Sequence, residues 1–192
     1  MSTPPLDQTP AASVPPIVDV AWLRDRLSND STVVICHVGS TMAGPEPEHD
    51  FEHRHLPGAR FVSLDDALAA APSGTAGRHP LPSPAEFARA LGELGVADDA
   101  TVVAYDDRGG AFAGRLVWML RILGQRAALL DGGVSAWTSS EDVEHGPATP
   151  VPVERTVHDW PLDALADAID VTRHLADDGV VIDSRDPARY AG

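Results

Sequence analysis

The chain has 192 residues and a formal net charge of −15, with 43% hydrophobic and 22% charged residues. This length suits one full domain with part of another, and the apolar fraction is typical of a globular protein, not of a disordered one. All 14 basic residues are arginine, and the acidic excess is spread along the chain. Because such a field repels phosphates and anionic lipid, we expect neither nucleic acid nor a membrane as a partner.

The chain contains a single cysteine, Cys36. One thiol excludes an intramolecular disulfide and a multi-cysteine zinc site, and it fits a reducing, cytoplasmic setting. Residues 1–16 are rich in Ser, Thr, Ala and Pro and lack the basic start and apolar core of a signal peptide, so we expect a disordered lead-in. No apolar run approaches the roughly 18 residues that a membrane-spanning helix needs.

Strand-like and helix-like segments alternate along the first two thirds of the chain. Short β-branched runs predict buried strands. Ser83 and Glu86 flank Pro84 in the pattern of a helix start, with a capping serine, a proline at the first helical position and a glutamate three residues after the cap. The predicted elements are strands at 33–36, 60–62, Thr101–Tyr105 and Ala127–Leu130, and helices at 84–94 and 116–123. This alternation predicts an α/β domain with a mainly parallel central sheet flanked by helices.

A proline-rich stretch then separates two similar patterns. Residues 17–20 precede a helical stretch and the Val-Val-Ile-Cys run at 33–36, and residues 169–171 precede a helical stretch and the Val-Val-Ile-Asp run at 180–183. We interpret this as an internal repeat, although any helix followed by a strand gives a similar pattern. The predicted organisation is a lead-in at 1–16, a first domain at 17–142, a linker at 143–167, and the first helix and strand of a second, incomplete copy at 168–192.

The second copy is too short to complete a sheet by itself. We therefore expect the apolar side chains of Val180, Val181 and Ile182 to be exposed or poorly ordered.

A Gly-rich loop at 106–110 is the first candidate site. A loop that runs from a strand into a helix N-terminus collects free backbone N–H groups and can hold an anion or a thiolate. A nucleophile would stand at the start of this loop, where the chain has Asp106 followed by Asp107. Two carboxylates repel an anionic substrate, so the alternative of an inert structural loop is favoured.

Two further candidates are weaker. His49, Glu52 and His53 match the H-x-x-E-H pattern of inverted zinc peptidases, but they stand just before a Pro-Gly turn and no third ligand follows, so a solvated polar helix start and no metal are predicted. Cys36 lies in a predicted buried strand without a Gly-rich loop after it, which favours a structural role. The adjacent His37 points to the opposite face of the strand and is not placed to act as its base.

Four motifs resemble those of the rhodanese family. They are His55-Leu56-Pro57-Gly58-Ala59, the strand Val102-Val103-Ala104-Tyr105, Leu130-Asp131-Gly132-Gly133 with Trp137 after it, and Val181-Ile182-Asp183-Ser184-Arg185 followed by Arg189-Tyr190-Ala191-Gly192. Their order is similar to that of tandem-domain thiosulfate or 3-mercaptopyruvate sulfurtransferases. The resemblance covers about residues 17–137 and 168–192.

This resemblance implies a sulfurtransferase without a cofactor. In that family a cysteine of the second domain takes a sulfane sulfur from thiosulfate or 3-mercaptopyruvate as a persulfide and passes it to cyanide or a thiol. Asp106 stands where the first domain would carry a nucleophile, so that domain resembles the silent one. Arg189 matches the arginine that contacts the anionic substrate. The chain alone is therefore expected to be inactive.

Two alternatives remain. A non-catalytic rhodanese-like module that binds partners or regulates is the first. Phosphatase chemistry on the same fold is disfavoured, because it needs a cysteine and an arginine six positions apart where the chain has Asp106 and Phe112.

Overall fold

A computed structural model describes residues 14–44, 46–73, 77–137, 143–183 and 187–190. The chain divides into two compact units, Met1–Asp159 and Trp160–Gly192, and each is described by itself below. No described helix is long and apolar enough to cross a membrane.

The first unit alternates strands and helices. Its strands are β1 Ile17–Val18, β2 Val33–Gly39, β3 Arg60–Ser63, β4 Thr101–Tyr105 and β5 Ala127–Leu130. Its helices are α1 Val20–Asn29, α2 Pro47–His53, α3 Leu64–Ala67, α4 Pro84–Glu93, α5 Ala113–Ile122 and α6 Gly133–Ala136.

The strands that the structure describes form one sheet in the order β1-β5-β4-β2-β3, and every neighbouring pair is parallel. All five residues of β4 are buried, as expected for a central strand covered on both faces. On one face Ile35, Val103 and Tyr105 pack with Phe51 of α2 and with Trp137. This sheet confirms the predicted α/β class with a mainly parallel sheet.

Several predicted elements are confirmed at the residue level. β4 and β5 have their predicted bounds, and Ser83 and Glu86 form the capping box that starts α4. Three predictions were too short at one end. β3 extends to Ser63, which pairs with Gly39 of β2. β2 extends to Gly39 because its second half pairs with β3. α5 begins at Ala113 because the Asp106 carboxylate accepts the N–H groups of Phe112 and Ala113, which have no partner within the helix.

The segment at 143–159 is part of the first unit and packs against the rest of it. Glu144 pairs with His55 through two backbone hydrogen bonds, and Val153 N–H donates to the Gly92 carbonyl at 2.9 Å. The buried guanidinium of Arg155 donates to the Val96 carbonyl at 2.7 Å. The domain bounds stay a prediction, but this part of the predicted linker follows the surface of the first unit and is not a free tether.

The predicted lead-in is described only from residue 14 onward; residues 1–13 lie outside the described residues. Val14 is buried, and the Pro16 carbonyl accepts the N–H of Leu129 at 2.9 Å. The last three residues of the predicted lead-in are therefore attached to the sheet.

The second unit contains a 3₁₀ helix at Leu162–Ala164 and the helices α7 Ala168–Ala176 and α8 Pro187–Tyr190. Asp167 and Asp170 form a capping box at the start of α7, so the predicted helix is confirmed. The predicted strand differs, because residues 180–183 form no strand. Val180 and Ile182 are 76% and 84% exposed, and no described strand of this unit is available to pair with them.

Candidate active-site loop

The loop after β4 lies at the carboxyl end of the most buried strand of the sheet. β4 pairs with β2 on one side and β5 on the other, and residues 106–112 connect it to α5. In parallel α/β sheets this end of the strands is the usual place for ligands, since helix N-termini point to it. Gly109 and Gly110 have positive φ angles of 68° and 88°, which let the loop turn tightly.

The side chain of Asp106 accepts four backbone hydrogen bonds inside this loop. Oδ1 accepts the N–H groups of Arg108 and Gly110, both at 2.8 Å. Oδ2 accepts those of Phe112 at 2.7 Å and Ala113 at 2.8 Å. The residue is only 5% exposed. The loop is therefore an anion-binding arrangement of backbone N–H groups, and its anion is a carboxylate of the chain itself.

This arrangement determines what the loop can do chemically. A carboxylate cannot carry a sulfane sulfur as a persulfide, and a hydrogen-bonded, buried carboxylate is a poor nucleophile. An external anion would have to displace Asp106 from its four donors. The neighbouring Asp107 is exposed and adds a second negative charge at the same edge.

Sequence reasoning placed the free N–H groups correctly but missed what binds to them. Asp106 was interpreted as a charge that repels substrate, whereas the structure turns its side chain into the loop. A signal for this role does exist in the sequence. Asp residues favour hydrogen bonds to backbone N–H groups two residues later, and the bond from Arg108 to Asp106 is of this kind.

A cleft of about 550 Å³ opens beside the loop. It is lined by the loop, by the end of β5 and by the turn that follows β5. Among the described residues that line it, Arg54 is the one basic side chain, and Asp107 and Asp131 carry exposed carboxylates. This charge balance does not favour an anionic sulfur donor.

Cys36 lies in the middle of β2 and is fully buried. Burial raises the pKa of its thiol to about 12, and the charge of Arg60, the residue opposite it on β3, only partly offsets this rise. The thiol therefore stays protonated at neutral pH, in agreement with the predicted structural role.

His37 lies next to Cys36 but in a different environment. Its ring centroid lies 4.8 Å from that of Tyr105 and 5.7 Å from that of Phe51. Burial lowers the pKa of His37, while the nearby carboxylates of Asp107 and Asp106 act in the opposite direction. Its Nδ1 atom is buried without a hydrogen-bond partner. A neutral imidazole among aromatic rings contributes to packing.

The H-x-x-E-H pattern falls on α2 and its end. His49 and His53 are both exposed, and Glu52 is half-buried. Among the described residues, no group of three or more His, Cys, Asp or Glu side chains is placed to hold a metal ion. The pattern lies on the short helix α2, and the predicted helix is confirmed.

Residues 19–140 match the family model of the rhodanese-like domain. The chain belongs to the rhodanese-like domain family. The match spans strands β2 to β5 and the loop at 106–112, so the site described above is the rhodanese-like loop of this chain.

Relatives with curated names agree with this family. The chain is 34% identical over 187 residues to a thiosulfate sulfurtransferase of Azotobacter vinelandii, an alignment that covers 94% of the chain and 64% of the relative. It is 47% identical over 93 residues to a probable 3-mercaptopyruvate sulfurtransferase of Pseudomonas aeruginosa, covering 47% of the chain and 33% of the relative. The chain thus spans between one third and just under two thirds of the length of these relatives.

A solved structure shows the same fold. SseA from Escherichia coli, described as a 3-mercaptopyruvate sulfotransferase with the rhodanese fold, superposes with a TM-score of 0.74 at 30% identity. The superposition covers 91% of this chain and 67% of that one.

The motifs that resemble the rhodanese family surround the loop. The N–H of Leu56 donates to the Tyr105 hydroxyl at 3.0 Å, which fixes the turn at 55–59 against the end of β4. A Cβ atom on Gly133 would lie 2.6 Å from the Asp106 carbonyl oxygen, so a glycine is needed there. Trp137 is buried under the guanidinium of Arg24 at 4.2 Å from the ring centroid. The structure therefore brings three of the four motifs together around β4 and its loop.

Arg189 belongs to the fourth motif. It lies in α8, but its side chain lies outside the described residues. Its role in substrate binding stays a prediction.

Proposed function

We propose that this chain is the non-catalytic first domain of a two-domain thiosulfate or 3-mercaptopyruvate sulfurtransferase, followed by the first residues of the catalytic domain. The observation that carries the proposal is the Asp106 carboxylate, which occupies the four N–H donors of the rhodanese-like loop. The names and lengths of the relatives support it. So does the recurrence of a helix and a Val-Val-Ile run after residue 167.

In the whole protein, a cysteine thiolate of the second domain would attack the outer sulfur of thiosulfate. The S–S bond of thiosulfate breaks, sulfite leaves with the electron pair, and the enzyme retains a cysteine persulfide. Cyanide then attacks the outer sulfur of the persulfide, thiocyanate leaves and the thiolate is restored. With 3-mercaptopyruvate as donor, the thiolate attacks the mercapto sulfur and the C–S bond breaks. The enolate of pyruvate leaves with the electron pair and takes up a proton. A thiol can replace cyanide as acceptor.

In this proposal the residues of the chain have supporting roles. The first unit serves as a rigid packing partner, because its loop is already closed by Asp106. Arg189 contributes a guanidinium to the anionic donor. A cytoplasmic setting fits the free thiol of Cys36 and an acceptor that must stay reduced.

An assay with thiosulfate and cyanide tests the proposal on the chain itself. We expect no thiocyanate formation above the uncatalysed rate, with or without the substitution Cys36→Ser. Turnover by the chain that survives Cys36→Ser would show a nucleophile other than cysteine and would contradict the proposed roles. Turnover that Cys36→Ser abolishes would assign the chemistry to β2, which also contradicts them.

A second candidate is a non-catalytic rhodanese-like module that binds or regulates a partner. The observation in its favour is that the first unit has a fully formed sheet and core without a described nucleophile in its loop. Reading the encoding gene separates the two candidates. The sulfurtransferase requires a downstream segment with a Gly-rich loop that begins with cysteine.

A further inference from the structure

The outer edge of β3 is an unpaired edge of the sheet. β3 is the last strand in the strand order, and among the described residues it pairs only with β2. A strand edge presents backbone N–H and C=O groups that can pair with another extended chain, and proteins normally cover or protect such edges. The outer edge of β3 is therefore available to pair with another extended chain.

A groove of about 840 Å³ lies beside this strand. Phe61 and Ser63 of β3 line it, with Phe51 of α2 on one wall and Ala90 and Leu94 at the end of α4 on the other. The groove therefore lies between two helices and beside a strand edge, and its lining combines apolar and polar side chains. Such a groove can accept an extended peptide.

Prolines close one part of this groove. Pro147 and Pro150 line it from the segment that packs against the first unit. Proline has no backbone N–H and cannot donate to a strand edge. These residues therefore bound the groove without donating a backbone hydrogen bond to β3.

The rim of the groove is strongly acidic. The carboxylate residues that line it are Glu46, Glu48, Glu52, Asp66 and Glu93. Arg89 is the one arginine among the described lining residues, and it already pairs with Glu93 at 2.7 Å. His49 is the other basic residue among them. The field at the groove is therefore negative.

We propose that this groove binds an extended, basic segment of a partner protein, which adds to the sheet as a strand next to β3. The apolar side chains of Phe51, Phe61 and Leu94 accept alternate side chains of such a segment, and the acidic residues of the groove pair with the basic ones between them. A second copy of this chain is a less suitable occupant, because it would bring another acidic rim against the first.

Fluorescence anisotropy with a labelled peptide tests the proposal. The probe is a peptide of about eight residues in which Arg and Val alternate, long enough to match a typical strand. One comparison peptide replaces Arg by Glu, and the other keeps every side chain but carries N-methyl groups on alternate amides. We expect the Arg-Val peptide to bind the 192-residue chain and both comparison peptides to bind at least about tenfold more weakly.

Variants of the chain locate the binding site. The double variant Glu48→Gln/Glu52→Gln should weaken binding about fivefold, whereas Glu154→Gln/Asp159→Asn removes the same charge from exposed positions elsewhere and should change it by less than about twofold. Ala90→Trp fills the groove and should weaken binding about tenfold. Circular dichroism verifies that each variant is folded.

Three results would overturn the proposal. Equal binding of the N-methylated peptide would show attraction by charge alone, without strand pairing. An equal loss in both double variants would assign binding to the overall charge of the chain. Self-association of the chain that the Arg-Val peptide reverses would make a second copy the occupant.

Discussion

The loop after β4 and the middle of β2 lie close together, and each lacks what the other has. The loop lacks a thiol, and the thiol of β2 lacks the hydrogen-bond donors of the loop. Cys36 pairs with Ala104, two residues before Asp106. The loop offers four converging N–H donors, the surroundings that stabilise a thiolate, but it carries a carboxylate. β2 carries the thiol, but burial raises its pKa to about 12. The comparison shows that a nucleophile needs both the atom and its surroundings, and that this unit separates them.

The largest expected effect concerns the reactivity of Cys36. Because the thiol is fully buried and protonated, iodoacetamide should modify it at least about a thousandfold more slowly in the folded chain than in urea. Mass spectrometry over time measures the rate. Modification of the folded chain at the rate of the unfolded one would place the thiol in an accessible site and remove the contrast with the loop.

A smaller but still large effect is expected for Asp106. Asp106→Ala leaves four loop N–H groups without their acceptor and should lower the free energy of unfolding by about 3 kcal/mol. Asp107→Ala is the matched control, since this neighbouring carboxylate is exposed, and it should change stability by less than about 0.5 kcal/mol. Urea denaturation of both variants measures the difference. Equal effects would mean that Asp106 does not organise the loop.

The smallest effect concerns alkaline pH. The pKa of Cys36 is raised in the folded chain, so its contribution to stability is complete below the ordinary thiol pKa of about 8.5 and is lost as pH rises from there toward about 12. Replacing the thiol removes this pH-dependent contribution to the free energy of unfolding. Between about pH 8 and pH 9.5, Cys36→Ala should therefore lose roughly 1 kcal/mol less stability than the unmodified chain. Parallel pH slopes for the two chains would show that the thiol is not buried as described.

The sequence predicted the elements whose signals are local. The capping box of Ser83 and Glu86 and the β-branched run of β4 each contain their own signal, and both were located correctly. The extension of β2 to Gly39 could not be predicted from its own residues, because it depends on pairing with β3. The end of β2 was therefore determined by a long-range contact, which a local sequence pattern does not contain.

The two Val-Val-Ile runs give the same lesson. Val34 and Ile35 are buried between neighbouring strands, whereas Val181 and Ile182 are 50% and 84% exposed. The local pattern is equal in both places, and only the first has described strands beside it. The exposure of the second run was thus predictable from its lack of neighbouring strands. The strand predicted at this run is not formed.

The candidate site was predicted in part. The sequence predicted the loop and its position after β4. It also showed that no thiol stands at the start of the loop. The inward turn of the Asp106 side chain was not, because the same residue at a loop tip more often faces solvent. Its hydrogen bonds to Phe112 and Ala113 depend on how α5 begins, which is a property of the folded unit.

One measurement tests the central claim that the loop is an intact thiolate-stabilising arrangement filled by Asp106. It is the pKa of the thiol in Asp106→Cys on a Cys36→Ala background, followed by the ultraviolet absorbance of the thiolate against pH, with circular dichroism to verify folding. The four N–H donors should hold this pKa below about 7.5. A folded variant whose thiol titrates at the ordinary value of about 8.5 or above would contradict the claim.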